Sequence, residues 1–398
     1  MNDERKPAAV SLASATPATA AEPAARIWVT TLMFSITGLL AITVVPWYGF
    51  TYGYSAGAWI AFGVLLWANG LSITGGYHRL WSHKTYEAHW SLRLFYAIFG
   101  AMALQNSILV WASGHRVHHR HVDDNEKDPY SAKRGFWFSH IGWMLREYPS
   151  GRVDFGNVND LKRDPIVMFQ HRWYLPLVLL TNIGIPVALG LALGDVWGYF
   201  LMAGILRLVV NHHVTFFINS LAHIWGRRPY TDENTARDND LLAFFTYGEG
   251  YHNYHHIFQT DYRNGVRWFQ WDPTKWMIAA CSWVGLTWDL KRVSNFKIQR
   301  AVVSMQFKRA EQQAAQSGNV ERWKHLLEQE YDAFRNTLNA FTELQMKRYD
   351  QKRRELATRW EHAAVRTRLK ELEYSLRMQK HRLRILTKEM LRQPATAA

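Results

Sequence analysis

Four stretches of the chain stay apolar for about 20 residues, the length a helix needs to cross a bilayer core. They fall into two pairs: Ile27 to Pro46 with Ala56 to Gly76, and Trp173 to Leu193 with Val196 to Ser220. The links inside each pair, Trp47 to Ser55 and Gly194 to Asp195, contain no Lys or Arg. The stretch from Tyr77 to Arg172 and everything after Arg227 are full of them. By the excess of positive charge on the cytoplasmic side, the short links face out and the termini and long segments face the cytoplasm. Two shorter apolar pieces do not read as spans. Trp90 to Trp111 carries Arg93, Gln105 and Asn106, and Pro273 to Leu290 is broken by Ser282 and Asp289. Both are expected to lie in the interface or against the bundle. The fold class expected is an all-α membrane protein, with four transmembrane helices under a cytoplasmic helical cap.

Two further segments flank the membrane domain expected over 26–294. Residues 1–25, rich in Ala, Ser, Thr and Pro, read as a disordered cytoplasmic tail. From residue 295 to 398 the pattern becomes a long, basic helical extension. There Leu369, Leu372, Leu376, Gln379, Leu383, Leu386 and Met390 alternate three and four apart, the seam of a coiled coil or helical hairpin. Leu327, Tyr331, Phe334, Leu338 and Phe341 offer a partner strip.

Composition sharpens this picture in two places. From Arg300 onward there are 21 Lys and Arg against 12 Asp and Glu, so +9 of the formal net charge of +14 lies in the extension. That asymmetry fits an anionic membrane surface or an acidic protein partner, and nucleic acid is not expected. Cys281 is the sole cysteine, which excludes an intrachain disulfide and leaves 18 histidines as the metal-capable residues.

Those histidines are clustered. His78 and His83 stand in HRLWSH, His115, His118 and His119 in HRVHH, and His252, His255 and His256 in HNYHH, while Asn219 and His223 sit four apart at the end of the fourth span. On a helix, positions i, i+3 and i+4 share one face, so HxxHH presents three imidazoles together. Adjacent histidines differ by one helical step and can lean toward two neighbouring ions. The i, i+5 pair His78 and His83 converges only if the helix ends between them. All three clusters fall on one side of a topology drawn without them, which points to a single shared site. Eight or nine imidazoles are too many for one ion and suggest two. Imidazole suits iron, copper and zinc alike: two irons beside an apolar cavity would give O2 chemistry, two zincs hydrolysis.

The chain resembles the membrane acyl-CoA desaturases of the stearoyl-CoA (delta-9) type. The likeness runs from about Ile60 to Ser294, through HRLWSH, QN at 105 and 106, WxxxHRxHH at 111 to 119, DPY at 128 to 130, RGFWFSHIGW at 134 to 143, VMFQ at 167 to 170, NSLAHIWG at 219 to 226 and GEGYHNYHH at 248 to 256. The resemblance implies a di-iron centre. His78, His83, His115, His119 and His255 would hold one iron and His118, His223, His252 and His256 the other, and Asn219 would reach one of the irons through water. It further implies O2 as co-substrate and removal of hydrogen from two neighbouring methylenes of a long acyl chain in a bent apolar tunnel. Asn106, Trp111 and Phe216, the last in place of the family's Trp, would line that tunnel, and Leu66 and Gly70 would border its end. Ser113 and Gly114 replace an Arg/Asp pair of the animal enzymes, so the acyl group could ride on CoA or on a membrane lipid, with Arg146 and Arg152 as candidates for phosphate. His212 and His213 are expected to be packing residues.

No heme-binding or flavin-binding segment is visible. Electrons are therefore expected from a separate donor of cytochrome b5, ferredoxin or rubredoxin type, served by an NAD(P)H reductase. The setting expected is a bacterial inner membrane, with termini and site cytoplasmic. Two other functions compete with this reading: a di-iron alkyl or sterol hydroxylase, which would yield an alcohol, and a membrane metal transporter, which would need ligands along the spans.

Overall fold

The computed structural model describes residues 24–315, 320–353 and 359–392. Four helices are long and apolar enough to cross a membrane: Trp28–Thr51, Ala56–Ser82, Tyr174–Leu193 and Val196–Ile224. Between the second and third lie α1 (Trp90–Ala101) and α2 (Ile108–His121). After the fourth come α3 (Asp240–Phe245), α4 (His252–Ile257) and α5 (Pro273–Trp283), then the long α6 (Asn295–Ala315), α7 (Val320–Arg353) and α8 (Arg359–Arg392). At 12 and 11 residues, α1 and α5 are too short to span. A two-residue antiparallel pair, β1 (Glu87–Ala88) with β2 (Thr287–Trp288), ties the stretch after the second span to the stretch after α5.

The spans differ from the apolar runs at their ends. The first continues past Pro46 to Thr51, because a proline inside a helix deletes one hydrogen bond without ending the apolar run. The second runs six residues beyond Gly76, in a form the sequence pattern did not foresee. From Ser72 to Ser82 the backbone is a π-helix, and His83 N–H closes it by donating to His78 O at 3.1 Å. An i to i+5 bond brings residues five apart onto one face, so the His78 and His83 rings meet at 4.9 Å between centroids. The helix does end between them, at Ser82, and its last turns are locally underwound.

Arg207 is fully buried in the fourth span. It donates to Asn69 Oδ1 at 3.2 Å from the second span, to Met102 O at 2.8 Å at the end of α1, and to Asn182 of the third span. One cation thus bonds three other elements inside the bilayer, where an unsatisfied polar group is costly. The segment it holds, Met102 to Ser107, joins α1 to α2 and contains Leu104 and Asn106 at positive φ, 49° and 73°. Below it, Ile73, Tyr77, Trp81, Tyr86, Tyr96 and Ile108 form the largest buried apolar cluster, which seats α1 and α2 against the end of the second span.

Of the expected tail, residues 1–23 fall outside the described residues, and 24–27 are pinned. Glu147 N–H donates to Ala25 O at 2.9 Å and Ile27 N–H to Leu145 O at 2.9 Å. The C-terminal seam packs as a three-helix arrangement instead of a hairpin. Leu376, Leu383 and Met390 of α8 meet Leu327 and Phe334 of α7, and also Phe296, Val303 and Phe307 of α6. The α6 strip escaped notice because two of its buried positions, Ala310 and Ala314, carry little apolar signal.

Candidate metal centre

Nine imidazoles converge from the second and fourth spans, α2 and α4. They fall into two groups whose donor atoms lie within 4.8 Å of one another: His78, His83, His115, His119 and His255 in one, His118, His223, His252 and His256 in the other. The neighbours His118 and His119 part into separate groups, as do His255 and His256, because one helical step turns each ring toward a different centre.

Within each group the Nε2 atoms face one another. His78 and His255 are 3.0 Å apart, His255 and His119 3.0 Å, and His83 and His115 2.8 Å. In the second group His252 lies 3.1 Å from His223 and 3.1 Å from His256. Two nitrogens bonded at right angles to one ion stand about 3.0 Å apart.

Three of the opposite ring nitrogens are held by an acid or a hydroxyl of the protein. His78 Nδ1 lies 2.9 Å from Glu249 Oε2 and His118 Nδ1 2.9 Å from Asp128 Oδ1. His223 Nδ1 lies 2.8 Å from Thr235 Oγ1, which itself donates to Asp123 Oδ1 at 2.6 Å. With Nδ1–H committed to an acceptor, the lone pair is left on Nε2. Five Nε2 atoms gathered in one nest and four in the other suit a cation at each, so the residues present fit a pair of metal ions.

Electrostatics supports the same state. Burial, reinforced by the neighbouring rings, pushes His83, His115, His119, His252, His255 and His256 well below the usual imidazole range, which leaves them neutral donors. Burial works to raise the Glu249 carboxyl, but His78 and Arg79 outweigh it and hold it at about 2. Arg79 is itself fully buried and bridges Glu249 Oε1 at 2.8 Å to Asp272 at 3.0 Å.

A cavity of about 560 Å3 opens against this centre. His78, His115, His118 and His252 form part of its wall, and Ile27, Met33, Phe34, Ile73 and Val110 are among its apolar lining. Asn106, Trp111, Phe216, Asn219 and Arg146 line it as well, with Arg152 and Ser113. Trp111 stacks on His115 at 4.8 Å, and Phe216 meets Phe34 edge-on at 5.5 Å. Leu66 and Gly70 do not border it: a Cβ at Gly70 would collide with the Tyr247 ring, whose hydroxyl donates to Leu66 O at 3.2 Å. His212 joins neither group: its Nε2–H donates to Ala103 O at 2.8 Å, and its ring packs against Phe34 and Phe216. His213 pairs with His140 at 3.0 Å.

Sequence reasoning gave no role to Glu249, Asp128, Thr235 and Asp123. Glu249 and Asp128 lay inside the quoted GEGYHNYHH and DPY motifs, and an acid beside a histidine cluster was the available signal. Thr235 carried none, since a loop brings it to His223.

A family model described as fatty acid desaturase matches residues 54–289, which include all nine imidazoles. The chain belongs to the fatty acid desaturase family. Among desaturases, it is similar to acyl-CoA desaturase 1 of Saccharomyces cerevisiae, 47% identical over 247 residues, or 62% of this chain and 48% of that protein. A probable acyl-CoA desaturase of Schizosaccharomyces pombe is 45% identical over 251 residues, 63% of this chain and 52% of that protein. Stearoyl-CoA desaturase 5 of Homo sapiens is 38% identical over 246 residues, 61% of this chain and 74% of that protein. The chain spans about half the length of the two yeast relatives. As a member of that family with four membrane-length helices, it is an integral membrane protein.

Proposed function

We propose that this protein is an acyl-CoA desaturase that inserts a cis double bond, at the delta-9 position, into a long-chain acyl group with O2 as oxidant. The observation that carries the proposal is the double nest of Nε2 atoms forming the wall of an apolar cavity. His78, His83, His115, His119 and His255 would hold one iron, and His118, His223, His252 and His256 the other, with Asn219 beside the second. Bound there, the iron pair supplies O2 activation and the removal of hydrogen from unactivated carbon, which no side chain is basic enough to achieve.

The protein's own contribution is positional. Glu249, Asp128 and Thr235 fix the tautomer and angle of three imidazoles. Apolar walls at Ile73, Phe34, Trp111 and Phe216 take the acyl chain and exclude water. Arg146 and Arg152, both lining the cavity, would take a phosphate of CoA. Names of the relatives support CoA as carrier over a membrane lipid.

Electrons are proposed to come from a separate acidic carrier, with the termini and the site on the cytoplasmic face. The relatives named above are eukaryotic, so the expected bacterial inner membrane draws no support from them. Expression in a host lacking unsaturated-fatty-acid synthesis, with a competent donor, tests the proposal by fatty-acid profiling. A new alkene that disappears with His119→Ala or His256→Ala is expected. An alcohol in its place would make the protein a hydroxylase, and the absence of both products overturns the assignment.

A further inference from the structure

Outside the four spans, α3 presents an apolar face to the exterior. On α3, Leu241, Phe244 and Phe245 are 57%, 54% and 57% exposed, while Leu242 and Ala243 between them are buried. The spacing i, i+3, i+4 puts the three on one side of the short helix. Phe244 packs on Trp271 at 5.0 Å, and Trp271 on the 40% exposed Trp276 at 5.4 Å, so the face broadens into an aromatic patch.

Its position along the second span shows what covers it. The chain leaving α3 reaches Tyr247, held in a positive-φ turn at 56°, and Tyr247 lies directly against that span. The missing side chain at Gly70 admits its ring, and its hydroxyl reaches Leu66 O at 3.2 Å. The same ring meets Trp67 edge-on at 5.3 Å, and Trp67 is 43% exposed on the outward surface of the span. At about 1.5 Å of rise per residue, Leu66 and Gly70 stand about 15 and 21 Å along the helix from Ala56. A hydrocarbon core about 30 Å thick that begins at Ala56 therefore extends past both. The chain directly after the patch is thus fixed beside a lipid-facing surface at a depth below the interface. A covering protein would itself have to sit in the membrane.

We infer that α3 is a membrane-seated element: the Leu241, Phe244 and Phe245 face rests among the acyl chains of the leaflet in which the His78 end of the second span emerges. Its partner is the phospholipid bilayer, entered to about the 5–10 Å depth usual for an interfacial helix. The consequence is positional, since Gly248 to His256 follow directly and carry Glu249 and three imidazoles. This inference depends on the spans and not on the proposed chemistry, so either can fail alone.

The test uses the full chain in phosphatidylcholine vesicles. In a Cys281→Ser background, Phe244→Cys and Phe245→Cys are labelled with an environment-sensitive fluorophore. Trp59→Cys, exposed on the second span, serves as the lipid control, and Tyr374→Cys on α8 as the aqueous one. Loss of emission with nitroxide-bearing acyl chains, to the extent seen at Trp59, and insensitivity to iodide are expected at both sites. Quenching by iodide as at Tyr374 overturns the inference. Shielding from both quenchers also overturns it, in favour of a covering protein or second copy. Should the variants misfold, a photoactivatable acyl-chain probe on the unmodified protein decides: adducts on residues 240–246 are expected, and their absence beside labelled spans refutes it.

Discussion

Glu249 is the residue on which the site's polar framework converges, since it accepts from His78 Nδ1 at 2.9 Å, from Arg79 at 2.8 Å and from Asn264 Nδ2 at 2.7 Å. Glu249→Gln keeps the shape but removes the charge that fixes the His78 tautomer. It is expected to weaken metal retention by roughly 10- to 100-fold, read as metal per protein after titration with a chelator. Asp128→Asn, at His118, should behave alike. Asp238 shows the opposite electrostatics. Burial raises its carboxyl to about 7, against partial relief from the Tyr254 N–H it accepts at 3.1 Å. A carboxyl raised on folding contributes stability that is whole below its unfolded range and is lost as pH rises through about 7. Asp238→Asn, which cannot ionise, should therefore gain on the parent in thermal stability between pH 5 and pH 8, measured by unfolding in detergent.

Among the elements, the second span does two things that its apolar pattern hides. Its π-helical end pairs His78 with His83, and its Gly70 receives Tyr247. Gly70→Leu is expected to destabilise the protein by about 1–3 kcal/mol through overpacking. A site lining the acyl cavity would instead alter chain-length preference at unchanged stability, so thermal unfolding beside product profiling separates the two. The fourth span clamps the others through Arg207. Arg207→Leu leaves Met102 O and the Asn69 and Asn182 side-chain oxygens without their donor, and a loss on the order of 3 kcal/mol is expected in the same unfolding measurement.

At the scale of the molecule, the extension joins the desaturase region through Lys308 to Asp232, 2.8 Å apart, and Arg309 to Arg228 O at 2.6 Å. Both lie beside the loop that carries Thr235 to His223. Because the Lys308 pair is exposed, Lys308→Ala should cost no more than about 1 kcal/mol, checked by denaturation at low and high salt. Much of the architecture was legible in the chain itself. Unbroken apolar runs determine spans, since a bilayer offers no partner for free backbone, and histidines spaced i, i+3, i+4 determine which rings share a helix face. Only the folded structure decided the rest. The π-helix that unites His78 and His83, the seating of Gly70 under Tyr247, and the acids and hydroxyl that orient the imidazoles all depend on contacts between residues far apart in sequence. Local periodicity carries the preference of a segment for one face; it holds no record of which distant side chain will occupy the space beside it.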